Sequence, residues 1–244
     1  AEAQAERAEA QAERAQARVE RDAERAQARA ESRSAWTWHR SQNDHGGGGS
    51  YTGVTEPETR DFGNKSFNKV EVGSGISMVY TQDPNASVTA TLKRGSWDQI
   101  DIEVENNTLV ATKKKNSKWG RHSPQITVYA ASPNLTEVDA SSGSSFKGSV
   151  VAGDLTVDAS SGSSLSMEGA CKSLVLDASS GSSVSFSKLE CERANVDASS
   201  GSSISVYASQ MVNVDASSGS SISVSGKPSD VTTDKSSGAS VRIR

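Results

Sequence analysis

The chain has 244 residues, of which 34% are hydrophobic and 5% aromatic, and its formal net charge is −4. So lean an apolar content excludes one large globular core. The mild acidity gives no case for nucleic acid as a partner, and no stretch is apolar enough to span a membrane. The chain begins at Ala1 rather than Met, which fits a secretory leader cut after a small residue or a trimmed sequence.

Residues 1–35 are almost pure Ala, Glu, Gln and Arg, with AEAQAER given twice in tandem. These are strong helix formers, and the run contains no Gly or Pro. Ala1, Ala5, Ala8, Ala12, Ala15 and Val19 follow 4-3 heptad spacing, interrupted at Asp22. Such a helix is either a solvated stalk, helped by pairs such as Arg18–Asp22, or a tight Ala-lined contact with neighbouring copies. Trp36 and Trp38 would anchor it to a partner or a membrane surface, or pack where it meets the body. Candidate self-association residues are therefore Ala5, Ala8, Ala12, Ala15, Val19, Trp36 and Trp38. His39 and His45 lie beside the GGGGS run at 46–50 and do not make a metal site. That run is a natural hinge whose composition also matches a fusion linker.

From Phe67 onward short alternating runs read as strands: FNKVEV (67–72), ISMVYTQ (76–82), SVTATLK (87–93), IDIEVE (100–105), TLVATKK (108–114) and QITVYA (125–130). Turn residues separate them, including GSG at 73–75 and ENN at 105–107. KKKNSKWGRH (113–122) is a basic loop, solvated or in touch with an anionic surface.

The stretch DASSGSS then begins at Asp139 and returns at Asp158, Asp177, Asp197 and Asp215, with a worn copy, DKSSGAS, at Asp234. The intervals are 19, 19, 20, 18 and 19 residues, the signature of stacked coils. Within one coil Leu155, Val157, Ala159, Ser161, Ser163, Leu165 and Met167 form the inward set, and Thr156, Asp158, Ser160, Gly162, Ser164 and Ser166 the outward one. By the same count Ser200 and Ser218 point inward. Inward Ser hydroxyls need Ser-to-Ser ladders or backbone partners. Outside, Asp residues stack about 4.8 Å apart and repel. They would accept bonds from nearby Ser hydroxyls and backbone N–H groups or, less fittingly, share a cation.

Cys171 and Cys191 each lie six residues before an Asp of the repeat. Equivalent positions on adjacent coils come within disulfide range, so they read as a disulfide in an oxidising compartment, against a reduced pair filling a corner. No Cys/His spacing supports zinc. No cofactor is expected.

These signals divide the chain into an α-helical arm (1–45), a Gly-rich linker (46–61), irregular N-terminal β-helix coils (62–131) and regular DASSGSS coils (132–244). The fold class is all-β: a parallel β-helix, a solenoid of about 19 residues per coil, right-handed by the usual crossover preference, with an N-terminal Ala/Glu/Arg-rich α-helical arm. At the C-terminus Lys235 replaces the inward Ala, which suits a last coil whose open end meets water or a partner.

The order FNKVEVGSGISMVYTQ, then IDIEVENNTLVAT, then ITVYAASPNLTEVDASSGSS resembles the family called putative auto-transporter adhesin, head GIN domain, over residues 62–244. The resemblance implies an exported bacterial β-helix, in the periplasm or on the cell surface, with adhesion suggested by the family's name. It carries over no catalytic residues, and the arm lies outside it.

Two functional readings follow. One is a non-enzymatic exported structural protein that self-associates, as a homo-oligomer or polymer, through its arm and β-helix surfaces. The other is a cell-envelope binding module that recognises glycan or another repetitive ligand through a flat Asp/Ser/Gly face. The candidate ligand face is Asp139, Asp158, Asp177, Asp197 and Asp215 with Ser141, Ser160, Ser179, Ser199 and Ser217. Catalysis is not expected. A repetitive Asp series singles out no acid–base pair, and the three His residues (His39, His45, His122) all lie outside the repeats.

Overall fold

A computed structural model describes residues 56–115, 117 and 124–244. The arm, most of the linker and most of the basic loop, and with them Ala5, Ala8, Ala12, Ala15, Val19, Trp36 and Trp38, lie outside the described residues. Among the described residues the only helical element is a 3-10 turn at Trp97–Gln99.

Each coil is built on a tight turn. In Ser160-Ser161-Gly162-Ser163 the Ser163 N–H donates to the Ser160 carbonyl at 3.0 Å. Ser161 has φ 50° and Gly162 φ 75°, the pattern of a type I′ turn with both central residues left-handed. The other coils repeat these angles at Ser142–Gly143, Ser180–Gly181, Ser200–Gly201, Ser218–Gly219 and Ser237–Gly238. No atom lies near the missing Cβ of Gly162, so the backbone angle, not crowding, calls for glycine there. Each turn also bonds to its neighbours. The Gly162 N–H reaches the Ser180 carbonyl of the next coil at 3.1 Å, and the Ser160 N–H the Ala140 carbonyl of the preceding one at 2.9 Å.

The turn corrects one expectation. Alternation does not run through it: Ala159 and Ser163 are buried, but Ser161, Ser200 and Ser218 are exposed. The two left-handed residues carry Ser161 and Gly162 out to solvent, and the inward set resumes at Ser163. The hydroxyls that do enter the core belong to Ser144, Ser163, Ser182, Ser202 and Ser220. Ser144 donates to the Val72 carbonyl at 3.0 Å and Ser220 to the Ala198 carbonyl at 3.1 Å. These are backbone partners rather than a Ser ladder. Ser163, Ser182 and Ser202 have no partner.

Among the described residues fifteen strands form one wrapped sheet. They are β1 (Glu58–Asp61), β2 (Lys69–Val72), β3 (Ser77–Gln82), β4 (Ser87–Arg94), β5 (Ile100–Glu105), β6 (Thr108–Lys113), β7 (Gln125–Ser132), β8 (Glu137–Ala140), β9 (Ser145–Ala159), β10 (Ser164–Ala178), β11 (Ser183–Ala198), β12 (Ser203–Ala216), β13 (Ser221–Ser225), β14 (Asp230–Lys235) and β15 (Ser240–Ile243). From β8 onward all pairing is parallel and in repeat register: Leu155 lies beside Leu174, Leu176 beside Val196, and Ala159, Ala178, Ala198 and Ala216 in one row. Small Ala residues fit the narrow end, while each buried Leu, Ile or Val contributes about 2 kcal/mol. At the wide end the chain rounds a corner inside the long strands, with register shifts after Ser166, Phe186 and Cys191.

The N-terminal coils depart from a purely parallel helix. β2 lies between β6 and β8, and β3 between β7 and β9, so residues 69–82 pair directly with residues 137–149. The intervening chain folds back on the far side, where β4–β7, β5–β6 and β1–β4 are antiparallel. Tyr80, stacked on Phe146 at 6.3 Å, fills the core here and donates its hydroxyl to the Ser132 carbonyl at 3.0 Å.

Cys171 and Cys191 are direct partners on β10 and β11 and form a disulfide with Cα atoms 4.4 Å apart. It closes a sequence separation of 20 residues, a loop for which chain entropy gives about 3 kcal/mol. Replacing both cysteines by Ser should lower the unfolding free energy by about that amount in urea titrations.

Candidate functional site

Parallel register places like residues over like. Along one outer face Glu71, Asp139, Asp158, Asp177, Asp197, Asp215 and Asp234 form an unbroken column of carboxylates. Two strand positions away runs a second column: Lys69, Glu137, Thr156, Val175, Asn195, Asn213 and Thr232. At its N-terminal end Lys69 pairs with Glu137 at 2.6 Å. Farther along, the Asn213 amide donates to the Asn195 side-chain oxygen at 2.9 Å. Between the columns, from Val175 to Asp234, lies an open groove of about 420 Å³, lined by Asp177, Asp197 and Asp215 on one side and Asn195 and Asn213 on the other.

The carboxylates do not find the hydrogen bonds expected of them. Among the described residues no donor bonds to the repeat Asp side chains. Their electrostatics reflect this. Partial burial, then Glu71 and Glu137, push the Asp139 carboxyl above the ordinary Asp range. Partial burial, then Asp139, raise Asp158. Partial burial, then Asp177 and Asp215, raise Asp197. A carboxyl whose pKa is higher folded than unfolded favours the unfolded state once both are ionised. That penalty is complete at neutral pH and is relieved as pH falls through the raised values.

The structure thus brings Asp139, Asp158, Asp177, Asp197 and Asp215 together. Ser141, Ser160, Ser179, Ser199 and Ser217 sit half-buried at the tight turn beside the column, while the groove opens on the opposite side. Sequence reasoning missed Glu71, the first rung, although EVGSG at 71–75 is a disguised copy of DASSG: Ser74 and Gly75 have φ 57° and 73°. It also missed Asn195 and Asn213, each two residues before an Asp in the repeated NVD. Among the described residues no three His, Cys, Asp or Glu side chains converge to hold a metal ion. Nor is any helix among them long and apolar enough to cross a membrane.

A family model described as "Putative auto-transporter adhesin, head GIN domain" matches residues 66–228. Among solved structures, a "putative adhesin" from Bacteroides fragilis is similar at 16% identity, over 78% of this chain and 98% of its own, with a TM-score of 0.63. A "putative adhesin" from Parabacteroides merdae is 12% identical over 78% of this chain and 96% of its own, with a TM-score of 0.49. The first shares the fold. No curated protein matches the chain.

Two outcomes test the column's electrostatics. The melting temperature should rise as pH falls from 7 to about 4.5. In the Asp158→Asn, Asp197→Asn double variant it should be higher at pH 7 and change less with pH.

Proposed function

The chain belongs to the putative auto-transporter adhesin, head GIN domain family, and from that membership and the groove we propose that it is an exported, non-catalytic adhesion module of the periplasm or cell surface. The observation that carries the reading is the groove's repetition: from Asp177 to Asp215 each coil presents one carboxylate, and two of the coils add an amide. Carboxylates accept hydrogen bonds, and amides both donate and accept. Offered once per coil, about every 4.8 Å, the pair suits a polymer that repeats its hydroxyl groups, and an envelope glycan is the natural class. The disulfide supports export, since such bonds persist in oxidising compartments. The repetition of one carboxylate per coil supports a non-catalytic role, because glycoside hydrolysis needs one acid and one base singled out by their surroundings.

Co-sedimentation with purified bacterial envelope polysaccharide tests this. Asn195→Leu with Asn213→Leu should weaken binding by about tenfold or more while leaving the far-ultraviolet circular dichroism unchanged. Equal binding by variant and wild type, or none by either, would contradict it. Bulky replacements at Ser160, Ser179 and Ser199 then report whether the contact extends over the turn.

The heptad spacing of Ala5, Ala8, Ala12 and Ala15 with Val19 supports a second proposal, that the arm joins copies of the chain into a homo-oligomer. Removing residues 1–45 should then lower the mass found by light scattering, and an unchanged mass would count against it.

A further inference from the structure

Four strands bound the wrapped sheet among the described residues: β1 and β5 at one end, β14 and β15 at the other. Each pairs on one side only. An unpaired edge is a template for another chain unless something guards it, and a charge pointing to the core side is such a guard. Two of the four are guarded in this way. On β1, Glu58 and Arg60 lie opposite core residues Leu92 and Ala90 and pair with each other at 2.8 Å. On β14, Lys235 takes the place of Ala216 on the core side.

The other two carry no such guard. β5 turns Ile100, Ile102 and Val104 to the core side and Asp101, Glu103 and Glu105 to solvent. β15 turns Val241 and Ile243 to the core side and Arg242 to solvent. Arg244, at the next position of the same parity, is held by its N–H on the Val224 carbonyl at 2.9 Å. Ile243 is still 37% exposed, so nothing among the described residues covers its side of the coil. The two open edges therefore share one alternation, apolar inward and charged outward, and their outward charges are opposite in sign. Arg242 and Arg244 take part in none of the ion pairs among the described residues.

We infer that β15 of one molecule pairs edge to edge with β5 of a second copy, with Arg242 and Arg244 set against Asp101, Glu103 and Glu105. A strand paired in this register keeps apolar residues on one face of the sheet and ion pairs on the other. The two surfaces differ, so the contact is heterologous and propagates into chains of molecules or closes into a ring. It uses neither the groove nor the arm.

Charge reversal on the full chain tests it. Sedimentation equilibrium of wild type should show mass rising with concentration, less steeply at high salt. Arg242→Glu with Arg244→Glu should abolish that rise, as should Asp101→Lys with Glu103→Lys. An equimolar mixture of the two variants should restore the concentration-dependent rise in mass, because each edge of one variant is complementary to the opposite edge of the other and the contact propagates in alternation. Circular dichroism verifies that both variants are folded. A wild-type mass independent of concentration, reversed variants that associate as wild type does, or a mixture that restores nothing would each overturn the proposal. If the reversed variants associate but removal of residues 1–45 abolishes it, the arm alone is the connector.

Discussion

The structure depends on a backbone constraint. Once per coil two consecutive residues adopt left-handed conformation, a Ser near φ 50° followed by a Gly near 75°. An ordinary side chain in that region costs about 1–2 kcal/mol. The turn is tolerated because it is tied at both sides: the Gly N–H reaches the next coil and the first Ser N–H the previous one. With every turn locked to its neighbours the register has no freedom, and all else about the coils follows. Leu stacks on Leu, Ala on Ala, Cys171 on Cys191, and Asp on Asp.

The last stacking is costly where the others help. Apolar rows gain from register, and the cysteines convert it into a covalent bond. Carboxylates can only repel, and partial burial followed by that repulsion raises the pKa values at Asp139, Asp158 and Asp197. A solenoid under selection for stability alone has no use for such a column. Its persistence in every coil, beside a groove bearing Asn195 and Asn213, is what supports the proposal that this face meets a partner.

The repeat was legible because it is periodic: the intervals between Asp residues set the coil length, and equal spacing before Asp177 and Asp197 set the disulfide. What escaped was non-local or disguised. No local signal told that residues 69–82 would insert between the chain that follows them and the first regular coil, because partner choice there is decided by packing. Glu71 was hidden because its turn is spelled Val-Gly-Ser-Gly rather than Ala-Ser-Ser-Gly. Ser161 was placed inward by carrying a strand's period of two through residues that are not strand. Asn195 and Asn213 looked like ordinary outward residues until register set them over one another.

Amide hydrogen exchange at the turn glycines tests the central claim most directly. Gly143, Gly162, Gly181, Gly201 and Gly219 each donate to a Ser carbonyl of the following coil at 3.0–3.1 Å, although their residues face solvent. If the stacked turns fix the register, these amides are protected together and to nearly the degree of the strand amides around them. Exchange at the rate of an exposed loop would mean that the turns merely follow the strands, and would contradict this account of how the coils are held in register.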